Sequence, residues 1–268
     1  MSRADCHRRG TCRLCGGADL TLVLTLTPTP PANAFVAADA LDQPQAVFPL
    51  DIYFCESCAH VQLLDVVDPK ILFADYVYVS GTSPVFVKHF ADYAASVLSR
   101  FDSDMNERLV IDIGSNDGTL LKQFDGHGLA VLGIDPAGEI AAAATADGIE
   151  TMPTFFTSAL ADGIRAERGK AVIVTANNVF AHADSLTDIA EGVKTLLTDD
   201  GLFVFEVSYL VDVFEKTLFD TIYHEHLAYH SLTPLISFFA HHDMQLIDAE
   251  RIGSHGGSLR GIVQLAGG

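Results

Sequence analysis

The chain has 268 residues, with 35 Asp+Glu against 16 Lys+Arg, which gives a formal net charge of −19 with histidine neutral. Apolar residues make up 49% and the mean hydropathy is +0.27, so a disordered acidic tail is excluded and a core-forming chain is predicted. The acidic balance, with no Lys/Arg stripe, argues against nucleic acid as a partner, and no run of 18 apolar residues suggests a membrane span. An anionic ligand would have to be held by backbone N–H groups more than by bulk charge. The start, MSRADCHRRGTCRLCGG, lacks the apolar stretch of a secretory signal. Five cysteines, four of them in two CxxC pairs, suit a reducing compartment, so the chain is expected to be cytoplasmic.

Residues 1–65 read as a small zinc-binding module. Cys12 and Cys15 (CRLC) form one pair, and Cys55 and Cys58 (CESC) the other. A two-residue gap lets both thiolates of a pair face one ion, and two pairs complete a closed tetrahedral Zn²⁺ site, structural in kind because no position is left for water. Between the pairs, the turn-rich TPTPPANAF is followed by FPLDIYFC, a strand that could return the second pair to the first. A redox CxxC or plain buried thiols are the competing readings. Cys6 reads as an ordinary thiol in a frayed terminus. Arg8, Arg9 and Arg13 either offset the charge of four thiolates or are simply solvated.

Residues 66–105 read as a helical linker. Asp68 and Pro69 open a short helix, and Ser83 followed by Pro84 suits the start of a longer one over 83–100, with apolar residues at Val85, Phe86, Phe90, Ala94, Val97 and Leu98. Tyr76 and Tyr78, in YVYVSG, are candidates either to reach a ligand cleft or to pack the module on the next domain.

Residues 106–268 alternate strands and helices, which predicts an α/β doubly wound sheet with right-handed crossovers. The run LVIDIGSNDGTLL is a strand, a glycine-bounded turn and a helix start near Thr119, the arrangement of a nucleotide-like ligand site at the carboxyl edge of a parallel sheet. It does not match GxGxxG, having Asn116 and Asp117 in the turn. Asp135 closes the next strand, where a carboxylate could accept from a ribose diol. Strands follow in AVIVTANN, GLFVFEVSY and MQLIDAERI, with helices over 184–197 and near 233–241. The loop FDTIYHEHLAYHS concentrates Tyr223, His224, Glu225, His226, Tyr229 and His230. Its order departs from HExxH, and it reads as a proton-transfer loop, or as packed, hydrogen-bonded histidines.

Taken in order, CRLC, CESC, YVYVSG, DIGSNDGTLL, GIDPAG, ANNVFAHADSL, EVSYL, YHEHLAYHS and SHGGSLR resemble the zinc-module-bearing class I methyltransferases of deoxysugar nucleotides, the sugar C-methyltransferase family. The resemblance implies a Rossmann-like class I methyltransferase sheet behind the zinc module, S-adenosylmethionine as cofactor, four cysteines on Zn²⁺, and a nucleotide-linked keto-deoxysugar of antibiotic biosynthesis as the small-molecule substrate. It places Asp112, Gly114, Asn116 and Gly118 in the cofactor motif, Asp135 toward the ribose, and Asn177 and Asn178 at the methionine side. His182 falls on the active-site histidine, and Tyr223, Glu225 and His226 on the catalytic loop, with His226 the favoured base and Tyr223 the alternate. Tyr76 or Tyr78 would reach the substrate. Family members run on for well over a hundred residues past GIVQLAGG, in a second Rossmann-like domain that helps hold the nucleotide sugar. Methylating carbon requires removal of a proton beside a ketone, so the resemblance implies enolate chemistry. Two rival readings are methyl transfer to another small metabolite and a non-catalytic zinc-containing binding protein.

Overall fold

The computed structural model describes residues 5–73 and 79–268, so Tyr76 and Tyr78 lie outside the described residues. In the N-terminal part the strands are β1 (Cys6–Arg8), β2 (Leu20–Leu24), β3 (Ile52–Cys55), β4 (Val61–Leu63) and β5 (Asp65–Val67). Helices α1 (Pro69–Phe73) and α2 (Pro84–Leu98) follow. The larger part runs β6 (Leu109–Ile113), α3 (Thr119–Asp125), β7 (Ala130–Ile134), α4 (Gly138–Ala146), β8 (Thr151–Met152), α5 (Ser158–Arg168) and β9 (Ala171–Asn177). It continues with α6 (Leu186–Leu196), β10 (Leu197–Ser208), α7 (Leu210–Glu215), β11 (Ala228–Tyr229), α8 (Leu232–His241), β12 (Met244–Ile252) and β13 (Ser258–Leu265).

Seven strands form the main sheet in the order β12-β13-β10-β9-β6-β7-β8. The contacts from β10 through β8 are parallel, as the alternation of strands and helices predicts. The last two strands depart from that pattern: β13 lies antiparallel to both β10 and β12. The cause is local. Only five residues, 253–257, join β12 to β13, too few for a crossover, so the pair closes as a hairpin. The parallel strands are apolar along both faces because both are covered. On one side α2 and α3 bury Phe90, Tyr93, Val97, Leu121 and Phe124 against Val110 and Val204. On the other, α5, α6 and α8 pack on Ile111, Val174 and Phe205.

The helix α2 begins where Ser83 and Pro84 predict, with Ser83 extended, but the Ser83 hydroxyl makes no capping bond. Val85, expected on the apolar face, is 78% exposed, while Tyr93 takes a fully buried place and donates to the Val204 carbonyl. Cys6 is not in a frayed end: β1 pairs with β5, Cys6 opposite Val67.

The N-terminal strands form a second sheet in the order β11-β4-β3-β2, and its outermost member, β11, comes from residues 228–229 of the histidine-rich loop. The first sixty residues and that loop therefore share a backbone ladder.

The chain is closely packed at the register pair Phe205–Gly261. The ring of Phe205 stacks among Phe180, Phe203 and Phe239 at centroid distances of 5.4, 5.6 and 5.7 Å, and a Cβ on Gly261 would lie 2.2 Å from its Cζ. Gly261→Ala is expected to destabilise the chain by about 1–3 kcal/mol, the range for overpacking a close-packed core. Urea denaturation checks this as a lower midpoint at unchanged slope; an unaltered midpoint would show that the ring can yield.

Candidate functional site

The carboxyl ends of β6, β7, β9 and β10 open into one cavity of about 760 Å³, at the point where the strand order reverses between β6 and β9. After β6 the chain turns through Gly114 (φ +72°) and Asn116 (φ +51°) to Gly118 (φ +74°), which caps α3. Gly114 is required sterically as well, since a Cβ there would meet Val179 Cγ2 at 2.2 Å.

The N–H groups that open this turn are already committed. Those of Gly114 and Ser115 donate to the Ile134 carbonyl, and that of Asn116 to Asp135 Oδ2 at 2.9 Å. The second oxygen of Asp135 accepts from Ala137 N–H, also at 2.9 Å. The turn thus offers no ring of free donors for a pyrophosphate. Asp135, which lines the cavity, is fixed with acceptor capacity left on each oxygen. Burial raises its carboxyl above the ordinary range.

Asp112, one residue before the end of β6, lines the cavity at 4% exposure and accepts from Thr175 Oγ1 at 2.6 Å. Burial pushes its pKa up to about 7, against the lowering effect of the threonine bond. Asp184, Asp188 and Asp220 also line the cavity, and no lysine or arginine does among the described residues. The chamber suits a cationic or neutral guest.

Asn177 and Asn178 lie on the wall, at the end of β9 and just beyond it. Asn116 lies there too, but its side-chain oxygen accepts from Ser80 N–H at 2.9 Å, and the next residue, Asp117, accepts from Gly81 N–H at 2.8 Å. The polar turn residues therefore dock the segment 79–82 onto the motif. Gly118 does not line the cavity. The space beside it is filled by Ile149, 2.9 Å from where a Cβ would stand, so its task is the left-handed entry to α3.

The histidine-rich loop faces the same chamber. His226 Nδ1 lies 2.7 Å from the Thr221 carbonyl, which can only accept, so this nitrogen carries the proton in the neutral ring. Nε2, 2.9 Å from the Tyr223 hydroxyl, is then the acceptor of the phenolic proton. His182 stacks on Phe73 with ring centroids 5.7 Å apart and stands 5.1 Å from the His226 ring. Burial, with the neighbouring His226, keeps it well below the usual imidazole range, so it is neutral. Its Nε2 has no hydrogen-bond partner among the described residues.

Other expected members stand apart. Glu225 does not line the cavity; it is buried behind the wall and bonded to Asn33. His224 and His230 donate to the carbonyls of Phe48 and Phe180, and His230 stacks on the Phe180 ring, so both are packed residues.

In the N-terminal unit the two CxxC pairs adopt the same turn. Gly16 N–H bonds to the Cys12 carbonyl and Ala59 N–H to that of Cys55, with both donors in the left-handed region. Pairing of Leu20 with Cys55 brings the knuckles together. All four sulfurs lie within 4.8 Å of one another, with Cys12–Cys58 at 3.7 Å and Cys15–Cys55 at 3.6 Å. A tetrahedral ion with Zn–S bonds of ~2.3 Å requires sulfur separations of ~3.8 Å, so the four residues fit zinc.

The neighbouring arginines pair with carboxylates, and Arg13 also interacts favourably with the charge of Cys12. Arg8 pairs with Asp65 at 2.7 Å, and Arg9 and Arg13 reach Asp184 at 3.0 and 3.3 Å. Arg13 is 3% exposed and also donates to Gln62 and to the carbonyls of Leu63 and Leu227; burial lowers its pKa to about 10.

Several wall residues carry no signal in the sequence. Asn33 lies in a segment legible only as turns. Phe86 and Phe90 look like ordinary helix core, yet both line the cavity. Asp184 falls inside ANNVFAHADSL, but its pairing with Arg9 and Arg13 joins segments some 175 positions apart.

Residues 12–73 match a family model of a candidate zinc binding domain, and residues 86–249, more than half of the chain, match the model of a methyltransferase domain. The C-methyltransferase NovU of Streptomyces niveus is 35% identical over 251 residues, which cover 92% of this chain and 59% of that relative, so the chain spans about three fifths of the relative's length. Magnesium protoporphyrin IX methyltransferase ChlM from Synechocystis, solved with bound SAH, superposes with a TM-score of 0.50 at 16% identity, over 66% of this chain and 82% of its own. An S-adenosylmethionine-dependent methyltransferase from Clostridium acetobutylicum gives 0.52 at 12% identity, over 67% and 92%. At such identities the structures speak for the fold, and the family follows from the domain match: this chain belongs to the methyltransferase-domain family, in its Rossmann-like class I form.

Proposed function

We propose that the chain is an S-adenosylmethionine-dependent C-methyltransferase that methylates a nucleotide-linked keto-deoxysugar through an enolate, in secondary-metabolite biosynthesis. The observation that carries this reading is the opening of the glycine turn and of the Tyr223–His226 pair into one acidic chamber. The 35% identity to a C-methyltransferase supports transfer to carbon. The family resemblance supports the sugar.

The cofactor would supply an electrophilic methyl group on a cationic sulfonium. Asp135 would accept from its ribose hydroxyls with the lone pairs that the backbone leaves free. Asp112, Asn177 and Asn178 would hold the methionine end, where carboxylates and amide carbonyls suit an ammonium group. The acceptor carbon would lose its proton to the Tyr223–His226 couple, the proton finally residing on His226 Nε2 while Thr221 keeps the ring in place. His182, neutral, lining the cavity and with no partner for Nε2 among the described residues, would donate to the developing enolate oxygen once its tautomer places a proton there. Holding the two reactants in line supplies much of the remaining acceleration. The four cysteines would hold a structural Zn²⁺.

The decisive experiment combines calorimetry with S-adenosylmethionine and turnover of a nucleotide-linked keto-deoxysugar in deuterated water. Wild type is expected to bind the cofactor, to wash deuterium into the carbon beside the ketone and to form a new carbon–carbon bond. His226→Ala should lose at least about 10²-fold in kcat while its cofactor Kd stays within about twofold. A methyl group found on oxygen or nitrogen, with no exchange, would overturn the enolate reading.

Asp112 links cofactor and stability. Its folded pKa, about 7, lies above the ordinary 3.8, so as pH rises between those values the unfolded chain ionises first and native stability falls. Asp112→Asn removes that penalty. The variant should gain stability over wild type, by about 1 kcal/mol more at pH 8 than at pH 6, and bind S-adenosylmethionine more weakly. Thermal midpoints at the two pH values, with calorimetry at pH 8, check both signs.

Native mass spectrometry should find one zinc per chain, absent from Cys55→Ser. Strong chelators should lower the thermal midpoint; a metal-free chain with an unchanged midpoint would remove the structural role.

A further inference from the structure

The loop between β2 and β3 returns to the cavity at Asn33, which is exposed. Among the described residues, this is the one polar side chain that the segment before residue 74 adds to the wall. Its other contributions there, Val66, Val67, Pro69, Leu72 and Phe73, are apolar.

Asn33 is held in a defined orientation. Its Nδ2 donates to Glu225 Oε1 at 2.6 Å. Burial raises the Glu225 carboxyl above the ordinary range, and in either protonation state its Oε1 can accept this bond, which leaves the Asn33 carbonyl and a second N–H available at the cavity wall. Glu225 is 1% exposed, and its other oxygen is buried with no hydrogen-bond partner among the described residues. A buried carboxyl with one oxygen unmet is unfavourable, and an apolar side chain would avoid the penalty. What the carboxyl does accomplish is to aim Asn33, from a position one residue before His226 and two after Tyr223.

We propose that Asn33 is the acceptor-specificity residue, its carboxamide hydrogen-bonding a hydroxyl group on the sugar of the acceptor, with Glu225 as the positioning residue that orients it. This rests on the methyl-transfer reading above. An amide carbonyl beside an N–H matches a hydroxyl group, which both donates and accepts. A carboxylate or phosphate at this point would find no lysine or arginine on the wall among the described residues. The arrangement also assigns Glu225 a task that does not require it to touch the reacting atoms.

The test uses the whole chain, S-adenosylmethionine and the nucleotide-linked keto-deoxysugar of the turnover assay above, reading the sugar KM, kcat and the cofactor Kd. Asn33→Ala is expected to raise the sugar KM roughly tenfold, with kcat and cofactor Kd within about twofold, as loss of one hydrogen bond made equally in ground and transition states requires. Glu225→Ala should show the same KM defect, and Glu225→Gln, whose carbonyl can still accept from Asn33, should recover most of it. The double Ala variant should be no worse than either single one. A role for Glu225 in packing alone would move the thermal midpoint and the cofactor Kd, and would add to the Asn33→Ala defect. An unchanged sugar KM in Asn33→Ala overturns the proposal, as does a fall confined to kcat; because Asn33 is exposed, this variant decides even if Glu225→Ala fails to fold. Wild type that binds S-adenosylmethionine yet leaves the keto-sugar unmethylated overturns the substrate reading and this assignment together, and is recognised before any variant is made.

Discussion

The spacing of the chamber walls depends on one buried cation. Arg13 sits in the middle of the first CxxC pair, and its guanidinium reaches Asp184, two residues past His182, and the carbonyl of Leu227, the residue after His226. A group with five N–H donors in a rigid plane can join segments in this way; an ammonium on a flexible stem could not hold the same angles. Because the cysteines fix the backbone on either side of Arg13, the sulfur cluster and the two histidines form one mechanical unit. A closed metal site then has a role beyond stabilising a small module, since it sets the platform from which this strut extends.

Charge within the chamber explains why a Rossmann-like sheet here need not hold a dinucleotide. In pyrophosphate sites the glycine turn presents free N–H groups to an anion. Here those groups are consumed by the Ile134 carbonyl and by Asp135, and the wall carries aspartates without lysine or arginine among the described residues. The same backbone geometry has been turned from anion capture toward a guest that is positive or neutral. The acidic balance of the whole chain has a local counterpart at the site.

Much of the architecture is legible in the residues. The apolar run before DIGSNDG, the alternation after it and the paired cysteines follow from periodicity and ligand spacing, and the structure realises the strand at Leu109–Ile113 and the helix at Thr119 where the pattern puts them. Asp135 and His182 share the cavity because they follow β7 and β9 at one edge of the main sheet, and Tyr223 and His226 join them from the segment before β11. What escapes the sequence is contact between distant segments. Nothing in TPTPPANAF reveals that its asparagine meets Glu225 from 192 positions away, and nothing in HRRGTCR distinguishes arginines that pair with Asp184 from solvated ones. Gly118 and Glu225 were legible as motif members, but the first serves backbone conformation and the second lies behind the wall, distinctions that only packing makes.

The strand Ala228–Tyr229 completes the sheet that carries the cysteines, immediately after the segment bearing Tyr223 and His226. Two stretches separated by more than 150 positions are thereby held in one backbone pairing. Recombination that imports a foreign amino-terminal half would have to bring a compatible edge partner for this strand, or lose the alignment of the proton-handling side chains. Chimaeras divided between the metal-bearing and the histidine-bearing portions would separate the two strands of this pairing.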